Sequence, residues 1–294
     1  MFGVTQEWSL LAPVSPSATD AIAQADGWQA SLSLRFEEAG QRTVLRHRHE
    51  GPLRIQKALY PEGPACCHAI VVHPPGGIAA GDRLSIDASI AQDCAALVST
   101  PAAAKWYGAH EGGMACQRVS IEVNGALEWL PAETIVFDRA QVSSTIDVIA
   151  GNAASMIGWD LLVFGRIASH ERFLQGLFDQ RLTISFGAEP IWVDRLRLSG
   201  GDALFDSPIG LRGNHALSTF WAILPLGRVW TDDRIEALRD DAPGLAVTRL
   251  HERLIVGRQL ADPIELQHQL QLAWRSVKQR IWDRPVSDLR LWAT

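Results

Sequence analysis

Cys66, Cys67, His68 and His73 fall within one short stretch, and thiols with imidazoles suit a soft or borderline divalent metal. On an extended strand Cys66 and His68 share a face while Cys67 points to the other, so only part of the group can converge locally. His47 and His49 likewise share one face. None of these residues has the paired spacing of a closed zinc site. An ordinary cysteine and histidine environment is the simpler reading, and weak, transient metal contact stays open beside it.

Carboxylates in apolar settings form a second group. Glu133 and Asp138 flank Thr134-Ile-Val-Phe137, Asp160 lies inside Ile157-Gly-Trp-Asp-Leu-Leu-Val163, and Glu171 follows Arg166. A buried charge is costly unless paired, and Arg139, Arg166 and Arg172 are the local partners. Two readings remain open: structural ion pairs, or the polar lining of a water-filled passage that a cation could follow.

A third candidate is the loop His73-Pro74-Pro75-Gly76-Gly77-Ile78-Ala79-Ala80-Gly81-Asp82-Arg83. Gly76 and Gly81 have the spacing of a phosphate-binding loop. Such a loop continues with Lys and then Ser or Thr; here Asp82 and Arg83 follow, and a carboxylate repels phosphate. A shaped corner between strands is the better reading. Nucleophilic catalysis has little support, since no Gly-x-Ser-x-Gly, kinase or Rossmann signature is present. Lys105 stands beside Trp106 and Tyr107, where a lysine stem lying on apolar surface explains it as well as a catalytic amine does.

The elements that would hold these residues are mostly strands. Trp28, Ala30, Leu32, Leu34 and Phe36 alternate with polar residues, the pattern of a half-buried strand. Residues 43–49, 54–60, 69–72, 84–90, 95–100 and 119–123 continue it. Asn124-Gly125 predicts a two-residue hairpin, with a return strand over 126–130, and further strands follow to Leu198. Strands at short, regular spacing without intervening helices give an all-β sandwich, barrel or solenoid. Two helices close the chain. Thr231 caps a short one. The second, over about 262–283, has Asp262 as N-cap, Pro263 at N1 and Glu265 completing a capping box. Its apolar stripe, Leu266, Leu270, Val277 and Ile281 with Trp274 beside it, predicts either packing on its own domain or a groove for a partner.

With 294 residues, 47% hydrophobic and 20% charged, the chain is globular. Its net charge of −6 argues against nonspecific binding to nucleic acid or anionic lipid. Residues 1–26, rich in Ala, Ser and Pro, read as a mobile arm ahead of a β domain over 27–294. No signal peptide or membrane span is visible, and four cysteines without CxxC spacing suit a reduced, cytoplasmic protein. The eleven tryptophans are expected in the core or at interfaces.

Taken in order, the motifs resemble the UreD (UreH) family of urease accessory proteins. The resemblance is carried by His73 to Asp82, by Thr100-Pro-Ala-Ala-Ala-Lys-Trp-Tyr107 and by Leu127-Glu-Trp-Leu-Pro-Ala-Glu-Thr-Ile-Val-Phe-Asp138. Trp159-Asp-Leu-Leu-Val-Phe-Gly-Arg166 with Glu171-Arg-Phe173 adds a fourth block. Gly51-Pro-Leu-Arg-Ile-Gln-Lys57, Tyr60-Pro-Glu-Gly63 and the closing Arg290-Leu-Trp-Ala-Thr294 fit its ends. Ala80 departs from the family pattern, which has glycine there. The resemblance implies a mainly β fold of strands stacked in a helical, two-sheet arrangement with two helices. It implies no enzymatic activity and no tightly bound cofactor. The family's proteins bind apo-urease and recruit an accessory protein F, which holds a GTPase, G, that drives nickel delivery. On that basis Glu133, Asp138, Asp160 and Glu171 are expected to line a nickel passage, with Cys66, Cys67, His68 and His73 as weaker candidates. His73, Pro74, Pro75, Gly76, Gly77, Gly81, Asp82 and Lys105 are family marks of structural character. The helix face Leu266, Leu270, Trp274, Val277 and Ile281 is the expected F-protein contact. An enzyme acting on a polymer and a plain binding module are the alternatives.

Overall fold

The computed structural model describes residues 27–109 and 113–282, together with 284, 286, 289 and 292. The arm expected over 1–26 and most of the closing 290–294 motif lie outside the described residues. The chain begins with β1 (Gln29–Ala39), β2 (Arg42–Glu50), β3 (Arg54–Leu59), β4 (Cys66–Val72) and β5 (Arg83–Ile90). It continues through β6 (Ala95–Ser99), β7 (Ala104–Trp106), β8 (Ala115–Val123), β9 (Ala126–Leu130), β10 (Thr134–Val136), β11 (Gln141–Ala150) and β12 (Ser155–Phe164). After β13 (Leu177–Phe186), β14 (Glu189–Ser199) and β15 (Ala216–Ile223) come α1 (Asp232–Asp241), β16 (Ala246–His251), β17 (Leu254–Leu260) and α2 (Pro263–Arg280).

Two sheets stack face to face. One runs β14-β13-β11-β8-β5-β1-β2, the other β16-β17-β15-β12-β9-β6-β4-β3, with β10 and β7 added beside β12. From β4 to β13 the chain passes back and forth between the sheets, so successive coils stack in parallel register. Arg83 pairs with Cys116, Ala115 with Val142, and Gln141 with Leu177. Antiparallel hairpins close the stack, β1 with β2 at one end and β13 with β14 at the other. The fold is therefore a mainly β, two-sheet coil with two helices near the C-terminus. Among the two-sheet alternatives the sequence left open, the parallel register decides for stacked coils.

Burial explains the two strand patterns. Strands of the first sheet bury one face, so β1 alternates between buried and open positions. Central strands of the second sheet are covered on both faces, by the first sheet inside and by α1 and α2 outside, while its edge strands β3 and β16 stay largely exposed. β4, β9 and β12 are accordingly almost continuously buried. On β4, Cys67, Ala69 and Val71 join the core between the sheets, while Cys66 faces outward. That is the split that strand alternation predicts.

Three local expectations are corrected. Asn124-Gly125 is a corner between sheets rather than a hairpin: β8 pairs with β5 and β11, whereas β9 pairs with β6 and β12. A Cβ on Gly125 would lie 2.4 Å from the carbonyl oxygens of Ala91 and Cys94, so glycine lets this corner sit on the one below. α2 stops at Arg280, short of the 283 expected. Asp262 caps it by accepting from the Ile264 N–H at 2.9 Å, but Glu265 accepts from Gln259 Nε2 at 3.1 Å instead of completing a capping box.

Candidate functional site

The 73–83 loop is built around Asp82, which is buried. One carboxylate oxygen accepts the Trp28 N–H and the other the Ala79 N–H, each at 2.8 Å. The acid that rules out phosphate binding thus ties the entry of β1 to the corner. Ile78 extends the corner into the second sheet, with its N–H on the Lys105 carbonyl and its own carbonyl accepting from Tyr107. Gly76 and Gly81 take φ of +77° and +84°. Gly77 faces the Tyr107 ring, where a Cβ would lie 2.2 Å from a ring carbon. Pro74 and Pro75 are exposed at the turn, and the Lys105 side chain is exposed on β7. His73 is half-buried at the loop entrance, and burial lowers its imidazole pKa against the pull of Asp82.

The four passage candidates separate. Asp160, from the inner face of β12, lines a cavity of about 80 Å³ between the sheets with Ser99, Gln117, Ser144 and Gln180. That volume holds several waters. Gln180 Nε2 donates to Asp160 Oδ2 at 2.8 Å, yet burial pushes this carboxyl up to about 6. Glu133 is half-buried and does not line that cavity, although its neighbours Ala132 and Thr134 do. Asp138 and Glu171 come together elsewhere, between β10 and the segment after β12. Asp138 Oδ1 accepts the N–H groups of Leu174 and Gln175 at 2.8 Å. Glu171 accepts from Arg166 at 2.5 Å and from the Asp138 N–H at 3.3 Å. The Arg166 hydrogen bond holds the Glu171 carboxyl below its usual range.

A second polar centre lies on the outer face of the same sheet, under α2. Lys278 is fully buried; its ammonium donates to Glu62 Oε1 at 2.8 Å and to the two oxygens of Glu128 at 3.0 and 3.1 Å. Trp274 Nε1 donates to Glu128 Oε2 at 2.5 Å. His68 Nε2 lies 2.9 Å from Glu62 Oε1. Burial pushes the Glu128 carboxyl up, against the pull of Lys278. For Glu62 burial acts the same way, but the hydrogen bonds from His68 and Lys278 win and hold it below its usual range. Cys66 stands beside this network, its thiol pushed up to about 12 by burial and by the two carboxylates. The ligand atoms of Glu62, Cys66 and His68 all lie within 4.8 Å of one another. Cys67 is on the opposite face, in the core.

Sequence reading found Cys66 and His68 but missed Glu62, Glu128 and Lys278. Two signals were present. Glu128 interrupts the fully apolar strand Ala126–Leu130, and Lys278 falls on the helix face of Leu270, Trp274 and Val277. That face is not open. Leu266, Leu270, Trp274, Val277 and Ile281 are at most 5% exposed and belong to the chain's own core against the second sheet. The stripe serves internal packing.

The fold defines a coiled two-sheet scaffold with one polar centre between its sheets and another beneath its terminal helix. Residues 29–293 match the family described as UreD urease accessory protein, and the chain belongs to that family. It is 39% identical to the urease accessory protein UreD of Cupriavidus metallidurans, over 95% of this chain and 99% of that one. It is 40% identical to the Pseudomonas fluorescens protein of the same name, over 91% and 95%. The Dechloromonas aromatica protein, also named urease accessory protein UreD, is 45% identical over 74% and 76%.

Proposed function

We propose that this chain is a non-enzymatic adaptor in urease maturation. In this reading it binds apo-urease in the cytoplasm, recruits accessory protein F, and through F the GTPase G that drives nickel into the urease centre. Nickel is cargo, and no cofactor stays bound. The observation that carries the reading is membership of the urease accessory family over residues 29–293. No helix among the described residues is long and apolar enough to cross a membrane.

The arrangement of carboxylates favours an adaptor over a hydrolase. A glycosidase-type site needs two carboxylates facing each other across an open cleft. Asp160 is buried, while Asp138 and Glu171 are engaged by backbone N–H groups and Arg166. Asp160, at the interior cavity, and Glu133, next in sequence to two residues that line it, are the residues we assign to a nickel passage. Asp138 and Glu171 hold the loops at its side. The F protein meets α2 on its outer side, around Ile264 (80% exposed), His268 and Gln271. Co-purification tests the adaptor role: this chain, apo-urease, F and G are expressed together and recovered on a tag carried by urease. Recovery of F and G only when this chain is present supports the reading, and equal recovery without it overturns it.

A further inference from the structure

We propose that Glu62, Cys66 and His68 form a binding site for one divalent cation of borderline softness, such as zinc, cobalt or nickel. The site lies on the outer face of the second sheet, opposite the Asp160 cavity. It rests on this chain's own residues and stands whether or not nickel passes through the chain.

The donor set is the first support. One thiol, one imidazole nitrogen and one carboxylate oxygen lie within 4.8 Å of one another. Metal bonds of about 2.0–2.3 Å in tetrahedral geometry put neighbouring ligand atoms roughly 3.3–3.8 Å apart. Closing the set therefore needs a shift of about 1 Å at its widest pair. Cys66 and His68 are fixed by β4, two residues apart on one face. Glu62 comes from the turn before β4, the part best able to adjust.

Charge is the second consideration. Around the set lie two carboxylates, Glu62 and Glu128, at 4% and 1% exposure, the Lys278 ammonium at 0%, and the Arg284 guanidinium near Cys66. With Cys66 as thiolate and His68 neutral, the thiolate and the Glu62 carboxylate meet the two charges of a divalent cation directly. On binding, the Cys66 S–H bond gives its proton to solvent as the metal–sulfur bond forms. His68 Nε2 exchanges its contact with Glu62 for the metal, and Lys278 keeps its hydrogen bonds to Glu128. No electron changes hands. Two protein donors on the strand and one on the turn leave a fourth position for water or a passing ligand, as in exchangeable rather than closed sites.

The test uses the full chain, reduced and stripped with a chelator, titrated with cobalt(II) alone and followed by the thiolate-to-cobalt charge-transfer absorption. One equivalent is expected to produce the band, and zinc is expected to displace it. Cys66→Ser should abolish the band, and His68→Gln and Glu62→Gln should each weaken binding at least about 10-fold. Cys67→Ala, on the other face, should leave it unchanged. Absence of the band, or a band that survives Cys66→Ser, overturns the proposal. A second readout needs only the wild type and Cys66→Ala: zinc should raise the melting temperature of the first and not the second, and an equal effect on both, or none on either, contradicts the site.

Discussion

Replacing Lys278 by methionine removes one charge and little volume, so its consequence follows from the buried network alone. The ammonium is fully buried and makes three contacts, at 2.8 Å to Glu62 and at 3.0 and 3.1 Å to Glu128. Methionine fills nearly the same space, and repacking should cost little. What remains is two carboxylates, each at most 4% exposed, without their cation. Breaking a buried pair from one side costs about 3–5 kcal/mol. Urea unfolding of Lys278→Met at pH 7.5 should show a loss of that size with an unchanged m-value. Adding Glu128→Gln should return part of it, because the neutral amide no longer needs the ammonium. The pH dependence has a definite sign. Burial raises the folded-state carboxyl of Glu128, so its contribution is fully present below the unfolded pKa and is lost as pH rises through the folded one. Loss of Lys278 raises that carboxyl further, and the penalty should shrink as pH falls from 7.5 towards 5.5. A loss under about 0.5 kcal/mol, the margin of an ordinary surface change, or an equal loss at both pH values, would refute the network as the fastening of α2.

Three further outcomes follow. Asp160→Asn keeps the geometry for Gln180 but removes a carboxyl raised from 3.8 to about 6. The wild type holds that stability below about pH 4 and loses it by about pH 7, so the variant should be more stable at pH 8 by up to about 3 kcal/mol; destabilisation at pH 8 contradicts this, and calorimetry reads it. Asp82→Ala leaves the Trp28 and Ala79 N–H groups without their acceptor and should cost about 3–6 kcal/mol, at roughly 1.5–3 for each charge-assisted bond, with Asp82→Asn intermediate in thermal denaturation. Gly77→Val drives a side chain into the Tyr107 ring and should lower soluble yield, and Tyr107→Ala in the same chain should recover part of it; no recovery would move the fault to the backbone of the corner.

Much of the fold was legible because burial writes itself into strand patterns. The alternation from Ala30 to Phe36 and the continuous runs of β4 and β12 each announced a strand and how many of its faces are covered, whereas Trp28, expected on the same buried face, precedes β1 and is 58% exposed. Asn124-Gly125 misled because turn chemistry is local, whereas the sheet that each flanking strand joins is set by stacking on other coils. The stripe on α2 was visible, but a stripe does not say what covers it, and here the chain's own sheet does. The site was half legible. Cys66 and His68 are two residues apart and strand geometry pairs them. Lys278 is separated from Glu62 by 216 positions and from Glu128 by 150, and only the folded chain brings them together.

The direct test of the central claim is the nickel content of urease. Urease is produced with F, G and nickel, with and without this chain, then purified and its metal counted. The adaptor account predicts nearly nickel-free, inactive urease without the chain and full loading with it. Equal nickel and activity in both preparations would contradict the account.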